Sequence, residues 1–315
     1  MNGITSVLGI KYPIIQGGMG NISNAILTAA VSEAGGLGTI GAGTMTAEEV
    51  EHIIMETNKR TKKPFAVNIA LSVSPNVVDI LKLAVKQGVK VVTLSAGNPA
   101  PFIPKLKEAG IKVITVVASV KQAKKAEAAG ADVLVAEGFE AAGINSNLET
   151  TTLALIPQIV AQVNIPVVAA GGIGDGKGLA AMLALGASGV QMGTRFIATE
   201  EAPFHEVYKQ KLLQANDHET VIVGRSVGKI RRLLNTSYAG KLLEAEKQGI
   251  TPDEFAELTT EDIHKKGALE GNEETGFMNG GQVSGLITDI PTVQELLERM
   301  VMEAKERLKI AEALL

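Results

Sequence analysis

Eight short apolar runs mark the first two-thirds of the chain: Pro13–Gln16, Leu37–Ile40, Phe65–Leu71, Lys90–Ser95, Lys112–Val117, Asp132–Ala136, Pro166–Ala170 and Gly189–Gly193. They are rich in β-branched and aliphatic residues and do not alternate with polar ones. That is the pattern of strands buried on both faces, as in a parallel sheet. Helical spacing fills the intervals. Thr46 and Glu49 form a capping box ahead of Val50, Ile53 and Ile54, and Lys121–Ala129 reads as a helix stopped by Gly130. Eight strand–helix units are what a (β/α)8 TIM barrel of about 250 residues requires. The fold class predicted is α/β, with this barrel preferred over an open doubly wound sheet.

Beyond the eighth run the pattern changes. Ala202–Leu213 has helical spacing, and residues 215 to 285 turn polar and glycine-containing. That stretch holds one clear helix start, the Thr251–Glu254 capping box with Pro252 in its first turn. The expected organisation is a barrel over 1–214 and 286–315, with an insertion over 215–285 lying across the barrel mouth. The periodic segment Val293–Ala311 would complete the outer ring of helices.

Composition narrows the chemistry. The chain has 315 residues, 45% hydrophobic and 20% charged, with a net charge of -4. It has ample material for a core and no charge excess of the kind that binds nucleic acid or a membrane surface. With no cysteine, a disulfide framework, a thiolate nucleophile and an iron–sulfur cluster are excluded. The N-terminus lacks the pattern of a signal peptide, and no run approaches the ~20 apolar residues of a membrane span. The expectation is a cytoplasmic protein. Glycine is abundant at 34 residues, while aromatics are only 3%.

The glycines concentrate where a barrel carries its site. The seventh run ends in Ala170-Gly171-Gly172-Ile173-Gly174-Asp175-Gly176, and the eighth in Gln191-Met192-Gly193-Thr194-Arg195. Loops after the seventh and eighth strands are a recurrent phosphate site in such barrels. Backbone N–H groups at helix N-termini attract an anion there, and the Thr194 hydroxyl adds a donor. By contrast, Gly36-Leu37-Gly38-Thr39-Ile40-Gly41 fits G-x-G-x-x-G in letters only. The match contains its strand instead of following one, so it is no dinucleotide fingerprint.

Taken in order, these segments resemble the flavin-dependent enoyl-ACP reductase II and nitronate monooxygenase (2-nitropropane dioxygenase-like) superfamily along nearly the whole chain. The resemblance rests on Lys11-Tyr12-Pro13-Ile14-Ile15-Gln16-Gly17-Gly18-Met19, Ala34–Gly38, Phe65–Asn68, Ser95–Pro99, Ala136–Ala141 and the two glycine loops. It implies an FMN cofactor with NAD(P)H as co-substrate. Carried over by position, Gln16, Gly17, Gly18 and Met19 would lie against the isoalloxazine. Asn68 and Glu137 would contact FMN, and Gly171, Gly172, Gln191, Met192, Gly193 and Thr194 would hold its phosphate. In this chain Ile144 occupies the place of the family's histidine, within Glu140-Ala141-Ala142-Gly143-Ile144. Isoleucine transfers no proton, which weighs against nitroalkane oxidation and equally against a proton-donating role at this position in enoyl reduction. Glu140 and Asn145 beside it are the catalytic candidates.

Among other features, His52, His205, His218 and His264 are too scattered for a metal site. Arg225, Lys229, Arg231 and Arg232 form a basic cluster, read either as a solvated face or as a dock for acyl-carrier protein or a nucleotide phosphate. The expected function is FMN-dependent reduction of an enoyl thioester on acyl-carrier protein by a homodimer. The alternatives are a nitronate monooxygenase, a quinone reductase and a non-catalytic flavin-binding protein.

Overall fold

The computed structural model describes residues 3–314. Nine strands appear in the first two-thirds of the chain: β1 (Ile14–Gln16), β2 (Gly38–Gly41), β3 (Phe65–Ala70), β4 (Val91–Ser95), β5 (Lys112–Val117), β6 (Val133–Glu137), β7 (Gly143–Ile144), β8 (Val167–Ala170) and β9 (Gly189–Met192). All but the two-residue β7 coincide with the eight apolar runs. They pair in parallel in the order β1-β9-β8-β6-β5-β4-β3-β2. A single parallel bridge, Ile15 to Leu37, joins the two ends. The eight strands thus form the expected (β/α)8 barrel.

The continuous apolar runs have a direct structural cause. Successive side chains on a strand point to opposite faces, and here both faces are dry. Ile15, Leu37, Ala66, Val91, Ile114, Val133 and Val168 fill the barrel interior, where Ile4 and Leu8 of the N-terminal helix join them. Neighbours such as Ile14, Ile40, Val67, Val92 and Leu134 face outward onto the helical ring. That ring is closed by the helix Val293–Glu312, which packs on the helices Gly176–Ala184 and Ala25–Glu33. A Cβ at Gly176 would come within 2.5 Å of the Met300 carbonyl, so the small residue permits this close crossing. The capping boxes at Thr46 and Thr251 both form.

The segment after the barrel strands differs from its sequence reading in two respects. The helix expected from Ala202 starts at Glu206, with the His205 side chain accepting from the Val207 N–H at its N-terminus. The stretch read as polar contains a hairpin, β10 (Thr220–Val223) and β11 (Arg231–Leu234). β11 also pairs antiparallel with β7, so a three-stranded sheet continues from the loop after β6. Three helices follow, Ser237–Lys247, Pro252–Leu258 and Glu261–Ala268. They pack over Val223, Leu233, Tyr238, Leu242, Phe255 and Phe277 as a separate small core. Among the described residues, no helix is long and apolar enough to cross a membrane.

Candidate active site

The carboxyl ends of the barrel strands and the 220–281 segment surround a cavity of about 960 Å³, within the range of small-molecule and cofactor sites. Every candidate residue from the sequence lines it except Gln16. Gln16 is buried, with Nε2 donating to the Thr39 carbonyl at 3.1 Å and Oε1 accepting from the Thr39 N–H at 3.3 Å. Its amide is therefore committed to joining β1 to β2, the seam that otherwise closes by one bridge. That gives Gln16 a structural task at the seam, and it stands outside the cavity lining.

The floor is set by close packing. Gly18 lies so near Asn68 that a Cβ there would approach the Asn68 Cβ to 2.7 Å. A larger residue would displace the one amide that β3 presents to the cavity. On β5 the Thr115 hydroxyl lines the cavity with no partner among the described residues.

At the β8–β9 corner the glycines have separate tasks. Gly171 and Gly172 have φ of 99° and 75°, a region costly for residues with a Cβ. Gly193 has φ -113° and open space where a Cβ would stand. The N–H groups of Gly172 and Gly193 donate to no acceptor among the described residues. Thr194 Oγ1 accepts the Gly281 N–H at 3.0 Å, which leaves its hydroxyl proton free. The helix N-terminus after β8, expected to offer N–H groups to an anion, is already engaged. Asp175 accepts from the Gly178 N–H at 2.9 Å and Glu303 from the Gly176 N–H at 3.0 Å. Two carboxylates already occupy that helix end, so the free donors belong to the loops.

The two catalytic candidates are tied into structure. The Glu140 carboxylate accepts the Thr152 N–H at 2.8 Å and the Thr152 hydroxyl at 2.9 Å. It sits at the N-terminus of the helix Thr152–Val160, where a negative charge is favoured. The Asn145 amide donates to the carbonyls of Ala141 at 2.9 Å and Gly143 at 3.3 Å, holding the loop after β6 in shape. Ile144 is 45% exposed and lines the cavity. Glu137, at the end of β6, behaves differently. Burial pushes its carboxyl up to about 7, because removing water from a carboxylate favours the protonated form.

The covering segment supplies a wall that sequence reading did not assemble: Arg231, Glu261, His264 and Asn279. The Glu261 Oε2 accepts the Asn21 N–H at 3.0 Å and lies 3.6 Å from His264 Nδ1. Burial alone would raise its carboxyl. The hydrogen bond and charge of His264, with the Asn21 N–H and Arg231, outweigh that and hold it below the usual range. His264 stacks on Phe277 and contacts the Asn279 amide at 3.0 Å. One signal was legible, the i,i+3 spacing of Glu261 and His264 on a helix face. The basic cluster also separates: Arg225 pairs with Glu149, while Arg232 is buried and donates to the Phe139 carbonyl.

Comparison with known proteins agrees with this geometry. Residues 2–80 and 72–303 match the sequence profile of nitronate monooxygenase. A (3aS,4S,5R,7aS)-5-hydroxy-7a-methyl-1-oxo-octahydro-1H-indene-4-carboxyl-CoA dehydrogenase of Mycobacterium tuberculosis is 35% identical, covering 99% of this chain and 98% of its own. A probable nitronate monooxygenase of Staphylococcus saprophyticus is 34% identical over 96% of this chain and 97% of its own. The structure of FabK from Thermotoga maritima, an enoyl-ACP reductase II, superposes with a TM-score of 0.95 at 43% identity, covering 100% of both chains.

Proposed function

The chain belongs to the nitronate monooxygenase family of oxidoreductases, and from that premise we propose that it is an FMN-dependent NAD(P)H oxidoreductase reducing an α,β-unsaturated acyl thioester. The observation that carries the reading is the donor set at the β8–β9 corner of the cavity. Among the described residues the Gly172 and Gly193 N–H groups have no acceptor, and the Thr194 hydroxyl, which accepts from Gly281, keeps its proton to donate where one phosphate would sit. That set suits a mononucleotide, and the Asn68 amide and Thr115 hydroxyl offer further donors along the same floor. The acyl-thioester class is supported by the likeness to FabK and by the CoA-linked substrate in the mycobacterial relative's name. The overall balance is NAD(P)H plus a proton plus enoyl thioester giving NAD(P)+ and the saturated thioester.

FMN, when bound, supplies hydride transfer between nicotinamide and the electrophilic carbon. The chain's own residues do the rest. Gly172, Gly193 and Thr194 hold the phosphate. Gly17 and Gly18 leave a flat surface beside Asn68. The 220–281 segment excludes water, which strengthens each polar contact in the cavity. Ile144 gives the β6 loop an apolar face where a proton-abstracting group would otherwise stand. Glu137, poised near neutrality, is the cavity carboxyl able to hold a proton at pH 7.

Nitronate oxidation is the second reading, favoured by the staphylococcal relative's name and by Glu137 as a base. Two assays distinguish them: NADH or NADPH turnover with crotonyl-CoA or a quinone as acceptor, and oxidation of 2-nitropropane by oxygen without nucleotide. The enoyl thioester should be the best acceptor. Faster oxidation of the nitroalkane would favour the second reading.

A further inference from the structure

The parity of β11 separates two adjacent arginines. Consecutive strand residues face opposite sides, so Arg232 turns to the Phe139 carbonyl and the Thr220 hydroxyl. Arg231 turns to the cavity. Its Cα is paired with that of Ile144 across the β11–β7 ladder, which sets it beside the residue facing the reaction space. The guanidinium lies over the Phe277 ring, 5.4 Å from the centroid. Among the described residues it makes no side-chain hydrogen bond, and no carboxylate comes within 4.0 Å. The near acid, Glu261, is already engaged by the Asn21 N–H and His264. Burial pulls the Arg231 pKa down and Glu261 partly restores it, yet a guanidinium keeps its proton across the working pH range. The other permanent cation on the cavity wall, Lys125, is exposed at the rim.

A half-buried cation in a cavity wall without a close counter-ion is less favourable until a ligand completes it. The phosphate corner lies on β8 and β9 and has its own donors, so one phosphate does not satisfy both ends of the cavity. We propose that Arg231 is the receptor for a second anion, a carboxylate or phosphate group of the ligand that enters beneath the covering segment. The planar guanidinium suits either group through paired N–H donors. The proposal rests on reading the cavity as the reaction chamber and names the ligand class that chamber admits. Two sources share the chemistry: an acidic group on the acyl acceptor, or the additional phosphate that separates NADPH from NADH.

The test uses the protein as purified and reads binding by ligand-observed NMR, so it stands whether or not the bound flavin is FMN. Crotonate, neutral crotonamide and inorganic phosphate are titrated into the unmodified protein, Arg231→Gln and Arg231→Lys. Crotonate or phosphate should bind in preference to crotonamide. Arg231→Gln should weaken anion binding by about 30-fold or more, and Arg231→Lys should keep part of it. A parallel comparison of flavin bleaching by NADPH and NADH assigns the source. Loss of an NADPH preference in Arg231→Gln points to the nucleotide, and an unchanged preference points to the acceptor. Circular dichroism and flavin content establish that the variants are folded. Equal affinity for anion and amide, or anion affinity within about threefold in folded Arg231→Gln, overturns the proposal.

Discussion

Replacing Gly193 by aspartate tests where the cofactor phosphate sits. The backbone there has φ -113°, which any residue adopts, and a Cβ would meet nothing within 4 Å. The barrel should therefore fold as before, with its new carboxylate standing in the space that the free Gly193 N–H faces. Two unit charges about 4 Å apart repel by about 4 kcal/mol at an effective dielectric of ~20. The cavity is partly open, so about 2–4 kcal/mol is the reasonable range. That corresponds to roughly 30- to 1,000-fold weaker FMN binding. Gly193→Ala is the control, because it adds bulk without charge into open space and should cost less than about fivefold. Apoprotein is titrated with FMN by fluorescence quenching, and thermal melts confirm folding. Unchanged affinity in folded Gly193→Asp would place the phosphate elsewhere. Equal losses in the alanine and aspartate variants would refute the electrostatic reasoning.

Three further outcomes follow from the same geometry. Glu140→Ala should destabilise the fold by about 1–3 kcal/mol in urea titrations, because its bonds to Thr152 hold a helix start; kcat of the FMN-loaded variant should change little, and a kcat loss of ~100-fold with normal stability would restore Glu140 as a catalytic group. Burial raises the carboxyl of Glu137 to about 7 from its ordinary 4.5, so its burial penalty is absent below about pH 4.5, grows between there and pH 7, and is complete above; Glu137→Gln should therefore stabilise the cofactor-free protein by up to about 3 kcal/mol at pH 8 and by much less at pH 5, and equal effects at both pH values would contradict the shift. Finally, neutral 2-nitropropane should be turned over poorly, since a positioned base contributes ~10²–10⁴-fold and Ile144 is none; rapid oxidation by the unmodified protein would defeat this, and Ile144→His is the variant expected to gain the activity.

Local signals made the barrel legible and distant partners made parts of the site illegible. The eight strands announced themselves because each is buried on both sides, so its whole length is apolar. The glycine loops were readable because Gly171 and Gly172 need positive φ and because their place after the last strands is fixed by topology. The bonds of Gln16 to Thr39 and of Thr152 to Glu140 were not legible, because neither contact leaves a trace in local pattern. The β10–β11 hairpin escaped because each strand has four residues and β11 opens with two arginines. Without knowing that Arg231 and Arg232 lie on a strand, their opposite orientations could not be derived, and the basic cluster looked like one surface.

The central claim is that this cavity holds FMN, accepts hydride from nicotinamide and delivers it to an enoyl thioester. Its most direct test is an anaerobic double-mixing experiment. The protein is bleached with NADH or NADPH, freed of excess nucleotide, and mixed with crotonyl-CoA, while flavin colour and butyryl-CoA are followed together. The account predicts rapid bleaching, return of colour on adding the thioester, and one butyryl-CoA formed per FMN. A protein that carries no FMN, or whose bleached flavin is reoxidised by quinone or oxygen but not by the thioester, would contradict it.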